Sequence, residues 1–202
     1  MKASRWILVL ALSALIMSCA RGGTYPVFLK YQPVGTFPSL SQKVGSSLGI
    51  SPFKDLRPDA LYVGLYMPFT GRFSYFRSEP SLEKTIQESL LRVLPPYGVK
   101  PVVLPAWDGK PESLKELETD SVLTIEIKKF WIEGKSTISH TNVRTSVGFL
   151  IHLGVKQDGK VYTRNVEVER EMITYGLSPD KAQETLNQVL AEIFDSYFSN
   201  PY

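Results

Sequence analysis

Residues 143–155 alternate without a break: Val143, Thr145, Val147, Phe149, Ile151, Leu153 and Val155 share one face. A period of two held over thirteen residues specifies an extended strand with that face turned to a core. Neighbouring segments carry the same pattern. Residues 122–132 place Leu123, Ile125, Ile127 and Trp131 opposite Thr124, Glu126 and Lys128. Residues 160–175 set Tyr162, Val166, Val168 and Met172 against Glu167, Glu169 and Glu171, and Asp158-Gly159 is a two-residue hairpin signal between the last two strands. A meander of this kind has an apolar face that another element must cover. The closing helix fits that task. Ser178 caps it, Pro179 takes the first helical position, and Asp180 suits the positive helix end. Its stripe is Ala182, Leu186, Val189, Leu190, Ile193, Phe194 and Tyr197.

Upstream, Leu82, Ile86, Leu90, Val93 and Leu94 recur at helical spacing over about residues 80–94, and Pro95-Pro96 stops that helix. Strands are expected at 44–53, 60–66 and 99–104, the last of them buried. A short helix is expected at 111–118, with Leu114 and Leu117 inward. The order β-β-α-β-α-β-β-β-α gives an α+β fold, a single-domain sandwich. Its sheet is a mostly antiparallel meander with helices packed on one face. One parallel crossover, through the first helix, joins the strand near Ile50 to the strand near Val102.

The chain opens on different chemistry. Lys2 and Arg5 precede an apolar run of twelve residues, 6–17, where a spanning helix needs about twenty. A basic start, a short apolar core and a small residue before the cut make a secretory signal. Ile16, Met17, Ser18 and Cys19 resemble the lipobox of bacterial lipoproteins. That resemblance implies cleavage between Ser18 and Cys19, diacylglycerol on the Cys19 thiol and acylation of the new amino terminus. The membrane is then a partner through acyl chains, each buried methylene contributing about 0.8 kcal/mol. Cys19 is the only cysteine, so it has no disulfide partner. Ala20 stands where an aspartate favours inner-membrane retention in enterobacterial lipoproteins, which implies the outer membrane, facing the periplasm. The expected organisation is a signal peptide (1–18), a lipidated N-terminus with a flexible tether (19–42) and a periplasmic domain (43–202). Gly22, Gly23, Pro26, Pro33, Gly35 and Pro38 give the tether its composition. Val27, Phe28, Leu29 and Tyr31 leave open a second arrangement, packing on the domain as an added edge strand.

The chain carries 23 basic and 20 acidic residues. Loss of Lys2 and Arg5 with the signal leaves 21 against 20, which gives no electrostatic reason to expect nucleic acid. Of the two histidines, neither His140 nor His152 has a carboxylate or second histidine at metal-ligand spacing. No nucleophile elbow or phosphate-cradling glycine loop occurs. No catalytic residue, metal or cofactor is therefore expected. Glu167, Glu169 and Glu171 read as a solvated strand face countered by Arg144 and Lys128. Asp55 and Arg57 read either as a recognition site or as an Asx-type turn. The candidate partner surface is Tyr66, Phe69, Arg72, Phe73, Tyr75 and Phe76, because Tyr and Arg combine contact area with directed polar groups. The same residues would equally enter bilayer headgroups or close one end of the core.

Several features then coincide: the lipobox, the run Ile50-Ser51-Pro52-Phe53-Lys54-Asp55-Leu56-Arg57-Pro58, Val63-Gly64, Tyr97-Gly98-Val99, Asp120 before Leu123, and a closing helix with Asn187. Over about residues 44–198 the chain resembles the YajG-type family of uncharacterised bacterial lipoproteins. It is similar, more loosely, to auxiliary lipoproteins of lipid-exporting ABC transporters. The first resemblance implies a lipid-anchored, non-catalytic binding or assembly module with an envelope protein partner. The second implies an accessory subunit of a lipid- or solute-export system.

Overall fold

The computed structural model describes residues 22–69 and 71–202. Ser18 and Cys19, where cleavage and lipidation are expected, lie outside the described residues. The strands are β1 (Gly23–Val27), β2 (Ser47–Ile50), β3 (Lys54–Asp55), β4 (Gly64–Met67), β5 (Ser74–Ser78), β6 (Lys100–Val103), β7 (Ser121–Ser136), β8 (Thr141–Val155) and β9 (Lys160–Thr174). The α-helices are α1 (Leu40–Val44), α2 (Leu82–Val93) and α3 (Pro179–Ser199).

β7 organises the sheet. Along one side it pairs antiparallel with β8 from Ser121↔Val155 to Ser136↔Thr141, and β9 continues outward from β8. Along the other side three short strands line up in succession, all parallel to it: β2 at Leu48↔Ser121, β3 at Lys54↔Glu126 and β4 at Gly64↔Ile132. β6 adds parallel to β2, β5 antiparallel to β4, and β1 parallel to β5. The sheet is therefore mixed, and the expected mostly antiparallel meander describes β7–β8–β9 only. The sixteen-residue β7 leaves one long edge open beside the meander, and three short strands, of four, two and four residues, fill it in succession. The crossover through α2 joins β2 to β6 in parallel, as expected.

Helices α2 and α3 cover one face. Phe194 of α3 sits 5.8 Å, ring to ring, from Phe149 of β8, and the core stripe of α3 is buried throughout. The first strand of the meander departs from simple alternation. Ile127 faces Phe149 but Lys129 faces Gly148, so Lys128 is an extra residue, a β-bulge. The bulge reverses the phase: Phe130 and Ile132 enter the core, and Trp131 turns away from it. The expected 160–175 return is confirmed, but the β8–β9 turn spans four residues, 156–159. Gly159 adopts φ 59°, and its N–H donates to the Lys156 carbonyl at 3.2 Å. β6, expected to be buried, is an edge strand with Val103 exposed. The expected helix at 111–118 is a 3-10 turn, Glu112–Glu116, whose Leu114 joins Trp107 and Val122 in a small cluster on the opposite face.

The largest correction concerns the N-terminal stretch. From Gly23 onward it is part of the domain, in the edge-strand arrangement. β1 extends the sheet beside β5, and Val27, Leu29, Tyr31, Phe37 and Leu40 are buried. The Gly/Pro-rich composition misleads because these apolar side chains are spaced between the turn residues.

Candidate functional site: the aromatic sheet end and the N-terminal strap

Residues 28–35 run across α3, where their backbone N–H groups need acceptors that no strand supplies. One row of the helix supplies them. Gln183 Oε1 accepts from Phe28 N at 2.7 Å, and Asn187 Oδ1 from Lys30 N at 2.9 Å. Asp195 accepts from the Tyr31 hydroxyl at 2.8 Å, Val34 N at 2.9 Å and Gly35 N at 2.7 Å. Positions 183, 187 and 195 lie on a four-residue spacing, and buried Ala191 fills the gap between them. On the other side Tyr31 N donates to Ser89 Oγ of α2 at 3.1 Å. The Tyr31 ring packs 5.1 Å from Phe194 and 6.3 Å from Phe198. Burial, and then the bond to the Asp195 carboxylate, push the Tyr31 hydroxyl pKa well above its ordinary value. Gln183 and Asp195 carry no local sequence signal, because only the strap's position gives them a task.

The strap fixes where the chain enters the domain. Gly23 pairs with Ser74, Ser74 with Tyr66, Tyr66 with Gly134, Gly134 with Val143, and Val143 with Met172. These residues form one row across six strands, about 24 Å at roughly 4.8 Å per step. Beyond that row lies a single end of the sheet, which includes residues 68–69, 71–73, 137–140 and 175–177. It exposes Phe69 at 67%, Phe73 at 49%, Ile138 at 88% and Tyr175 at 97%.

The six residues expected to form a partner surface do not stay together. Phe76 is fully buried, facing Gly64, where an added Cβ would come within 2.5 Å of Ile132. Tyr75 faces the other way and packs on Tyr62 at 4.9 Å. Tyr66 is a floor residue: its hydroxyl bonds Ser136 Oγ at 2.9 Å, and Ser136 bonds Thr141 Oγ1 at 2.6 Å, closing the β7–β8 hairpin base. Phe69, Arg72 and Phe73 are exposed. Strand alternation explains the split, since neighbours in β5 point to opposite faces. Ile138 and Tyr175, far away in sequence, join Phe69 and Phe73 instead.

Asp55 and Arg57 form a structural clamp. The buried guanidinium bonds the carboxylate, with Nη2 to Oδ2 at 2.6 Å, and reaches the carbonyls of Ala60, Tyr62 and Phe130, while Arg57 N closes the Asx turn on Asp55 Oδ1 at 3.1 Å. The Phe130 contact holds the strand just past the bulge. The glutamate row is a countered surface, with Arg144 as expected and Lys129 in place of Lys128. Glu169 meets Lys129 at 2.6 Å and Arg144 at 3.0 Å, whose hydrogen bonds hold its carboxyl below the ordinary range. Lys128, displaced by the bulge, pairs with Glu126. His152 bonds Thr163 Oγ1 at 2.9 Å on the helix-free face, and burial lowers its pKa. His140 bonds Ser139 and Thr137 within its own turn. Among the described residues no group of three or more His, Cys, Asp or Glu is placed to hold a metal ion, and no helix is long and apolar enough to cross a membrane. An open hollow of about 770 Å³ on the helix-free face is lined by Glu133, Lys135, Arg144 and Glu171 together with the apolar Val143, Met172 and Ile173.

No family model matches the chain, and no curated protein matches it. It is similar to the crystal structure of protein XCC0632 of Xanthomonas campestris, a DUF330 protein, with a TM-score of 0.52 at 14% identity, covering 87% of this chain and 94% of that one. It is similar at TM-score 0.44 to the hypothetical protein CT253 of Chlamydia trachomatis, at 12% identity over 75% and 96% of the two chains. Lipoprotein GNA1162 of Neisseria meningitidis gives a TM-score of 0.37 at 16% identity over 74% and 98%. The likeness to the Xanthomonas protein shows a shared fold that spans nearly the whole of that chain.

Proposed function

We propose that this is a lipid-anchored cell-envelope protein of YajG-type kinship, acting as a non-catalytic binding or assembly module. The observation that carries the reading is the N-terminal strap. The lipobox-like cysteine lies three residues before Gly22, and Gly23 already pairs in the sheet. Acyl chains on Cys19 would then hold a folded domain against the bilayer, with no long leash between them. The polar groups that would draw attention as chemistry are engaged in structural work: Asp195 on the strap, Arg57 on its loop, Glu169 between Lys129 and Arg144. The open hollow on the helix-free face sets both charge signs beside the apolar Val143, Met172 and Ile173, a mixture that suits a protein partner surface. Ala20 supports the outer membrane as the site of anchoring.

Fractionation of cells carrying the wild type and Cys19→Ser, with labelled palmitate, tests the anchor. The wild type is expected in the membrane fraction with label. The variant is expected in soluble form or as uncleaved precursor, without label. Label that follows the variant would refute the reading. Crosslinking in native envelopes is expected to capture a protein partner dependent on residues such as Arg144 and Glu171. Crosslinks unaffected by charge reversal there would refute the assignment of that face.

A further inference from the structure

The two ends of the sheet differ in a way that packing does not require. At one end the β8–β9 turn is Lys156-Gln157-Asp158-Gly159, wholly polar and exposed. At the other, each of three separate turns presents at least one large apolar side chain to solvent: Phe69 and Phe73 from β4–β5, Ile138 from β7–β8, and Tyr175 from β9–α3. None is needed by the core, which Phe76, Ile132 and Leu177 close beneath them. Exposed apolar tips brought together from distant parts of a chain mark a contact surface.

The chain's entry point says what that surface meets. Gly22 lies against Phe73, so close that an added Cβ would come within 2.4 Å of the Phe73 carbonyl oxygen. Three residues at no more than about 3.6 Å each bring Cys19 within about 11 Å of that end, whatever their conformation. A thiol carrying diacylglycerol lies at the bilayer surface. The nearest part of the domain is then the apolar end, about 24 Å across.

We propose that the sheet end bearing Phe69, Phe73, Ile138 and Tyr175 is a membrane-docking face that rests in the headgroup layer of the bilayer holding Cys19. The inference rests on the anchoring proposed above and adds an orientation to it. The sheet stands with β7, β8 and β9 running away from the membrane, and the polar 156–159 turn lies farthest out. Tyr175 suits the interface because its ring is apolar and its hydroxyl is wet, while Phe69 and Ile138 supply buried area. Arg72 and Lys135, both exposed, place positive charge at this end. The helix-free face, with Arg144 and Glu171, is left accessible at the side for a partner.

Cys19 is the chain's only thiol, which makes the test direct. The non-lipidated chain 19–202 is coupled through it to maleimide-headgroup lipid in phosphatidylethanolamine–phosphatidylglycerol vesicles with brominated acyl chains. Tryptophan is introduced singly as Tyr175→Trp, Ile138→Trp or Gln157→Trp, the last about 50 Å from the docking face along the fifteen residues of β8. At 175 and 138 the added fluorescence is expected to shift to the blue and to be quenched by bromine on coupling; at 157 it is expected to do neither. Unquenched emission from both 175 and 138 in the coupled protein would overturn the proposal, and is what an end reserved for a protein partner would give. Quenching at 157 equal to that at 175 would overturn it as well. Chemical coupling stands in for acylation, so failure here is failure of the docking face. Failure of the anchor is read separately, as absence of acyl label in cells.

Discussion

Replacing Asp195 by alanine should loosen the N-terminal strap more than any other single polar change. The carboxylate accepts three hydrogen bonds, from the buried Tyr31 hydroxyl at 2.8 Å and from the amides of Val34 at 2.9 Å and Gly35 at 2.7 Å. The amides are reached by water once the carboxylate is gone, so each loss is about 0.5–1 kcal/mol. The Tyr31 hydroxyl is not so placed, and a buried donor left without an acceptor costs about 1–3 kcal/mol. The sum is about 2–5 kcal/mol, against a total stability of about 5–15 kcal/mol. For a chain of this size 1 kcal/mol moves the melting temperature by about 2–4 °C, so a drop of about 4–20 °C is expected. Asp195→Asn keeps one acceptor oxygen and should lose about half as much. Tyr31→Phe should be milder, and combining it with Asp195→Ala should give less than the sum, with a coupling of about 1 kcal/mol. Thermal melts of the wild type and the four variants read these values, and limited proteolysis should cut the strap first in Asp195→Ala. A melting temperature within about 2 °C of wild type, or strict additivity with Tyr31→Phe, would refute the strap.

Three further outcomes follow from burial and titration. A chain starting at residue 43, where composition alone would begin the domain, lacks the buried side chains of Val27, Leu29, Tyr31, Phe37 and Leu40; it should fail to give a cooperative melt, and a native-like transition would refute the packing of that stretch. Phe76→Ala, in the core, should cost about 3–5 kcal/mol, whereas Phe69→Ser should leave the melting temperature nearly unchanged; equal effects in a denaturant titration would contradict their placement. Burial raises the pKa of Tyr31 and Tyr197, so the folded state holds these protons more tightly than the unfolded chain does; stability is complete below the unfolded tyrosine pKa of about 10 and should fall as pH rises past it, less steeply in Tyr31→Phe, and a flat stability curve between about pH 9 and 11 would contradict this.

The long-period elements of this fold were legible because one physical signal dominated each. The alternation of residues 143–155 and the Ser178-Pro179 start of α3 translate directly into β8 and a capped helix, with Ser178 accepting from Lys181 N. The errors arise where a tertiary partner decides. Trp131 was placed inward because a bulge at Lys128 leaves no trace in a period-two pattern, and its neighbourhood is held by Arg57, some seventy residues earlier. The short strands β3 and β4 owe their pairing to the free edge of β7, which no local pattern reveals. The Gly/Pro-rich strap read as a tether because its hydrogen-bond acceptors, Gln183, Asn187 and Asp195, lie at the far end of the chain. The candidate surface was half visible: Phe69 and Phe73 belong to the crowded aromatic stretch, while Ile138 and Tyr175 join them only through the sheet's register.

Mass spectrometry of the protein's N-terminal peptide, isolated from envelope membranes, reads the anchor directly. The expected peptide begins at Cys19 and carries a thioether-linked diacylglycerol and an amide-linked acyl chain. A mature chain beginning at another residue, or at an unmodified Cys19, would contradict the anchor.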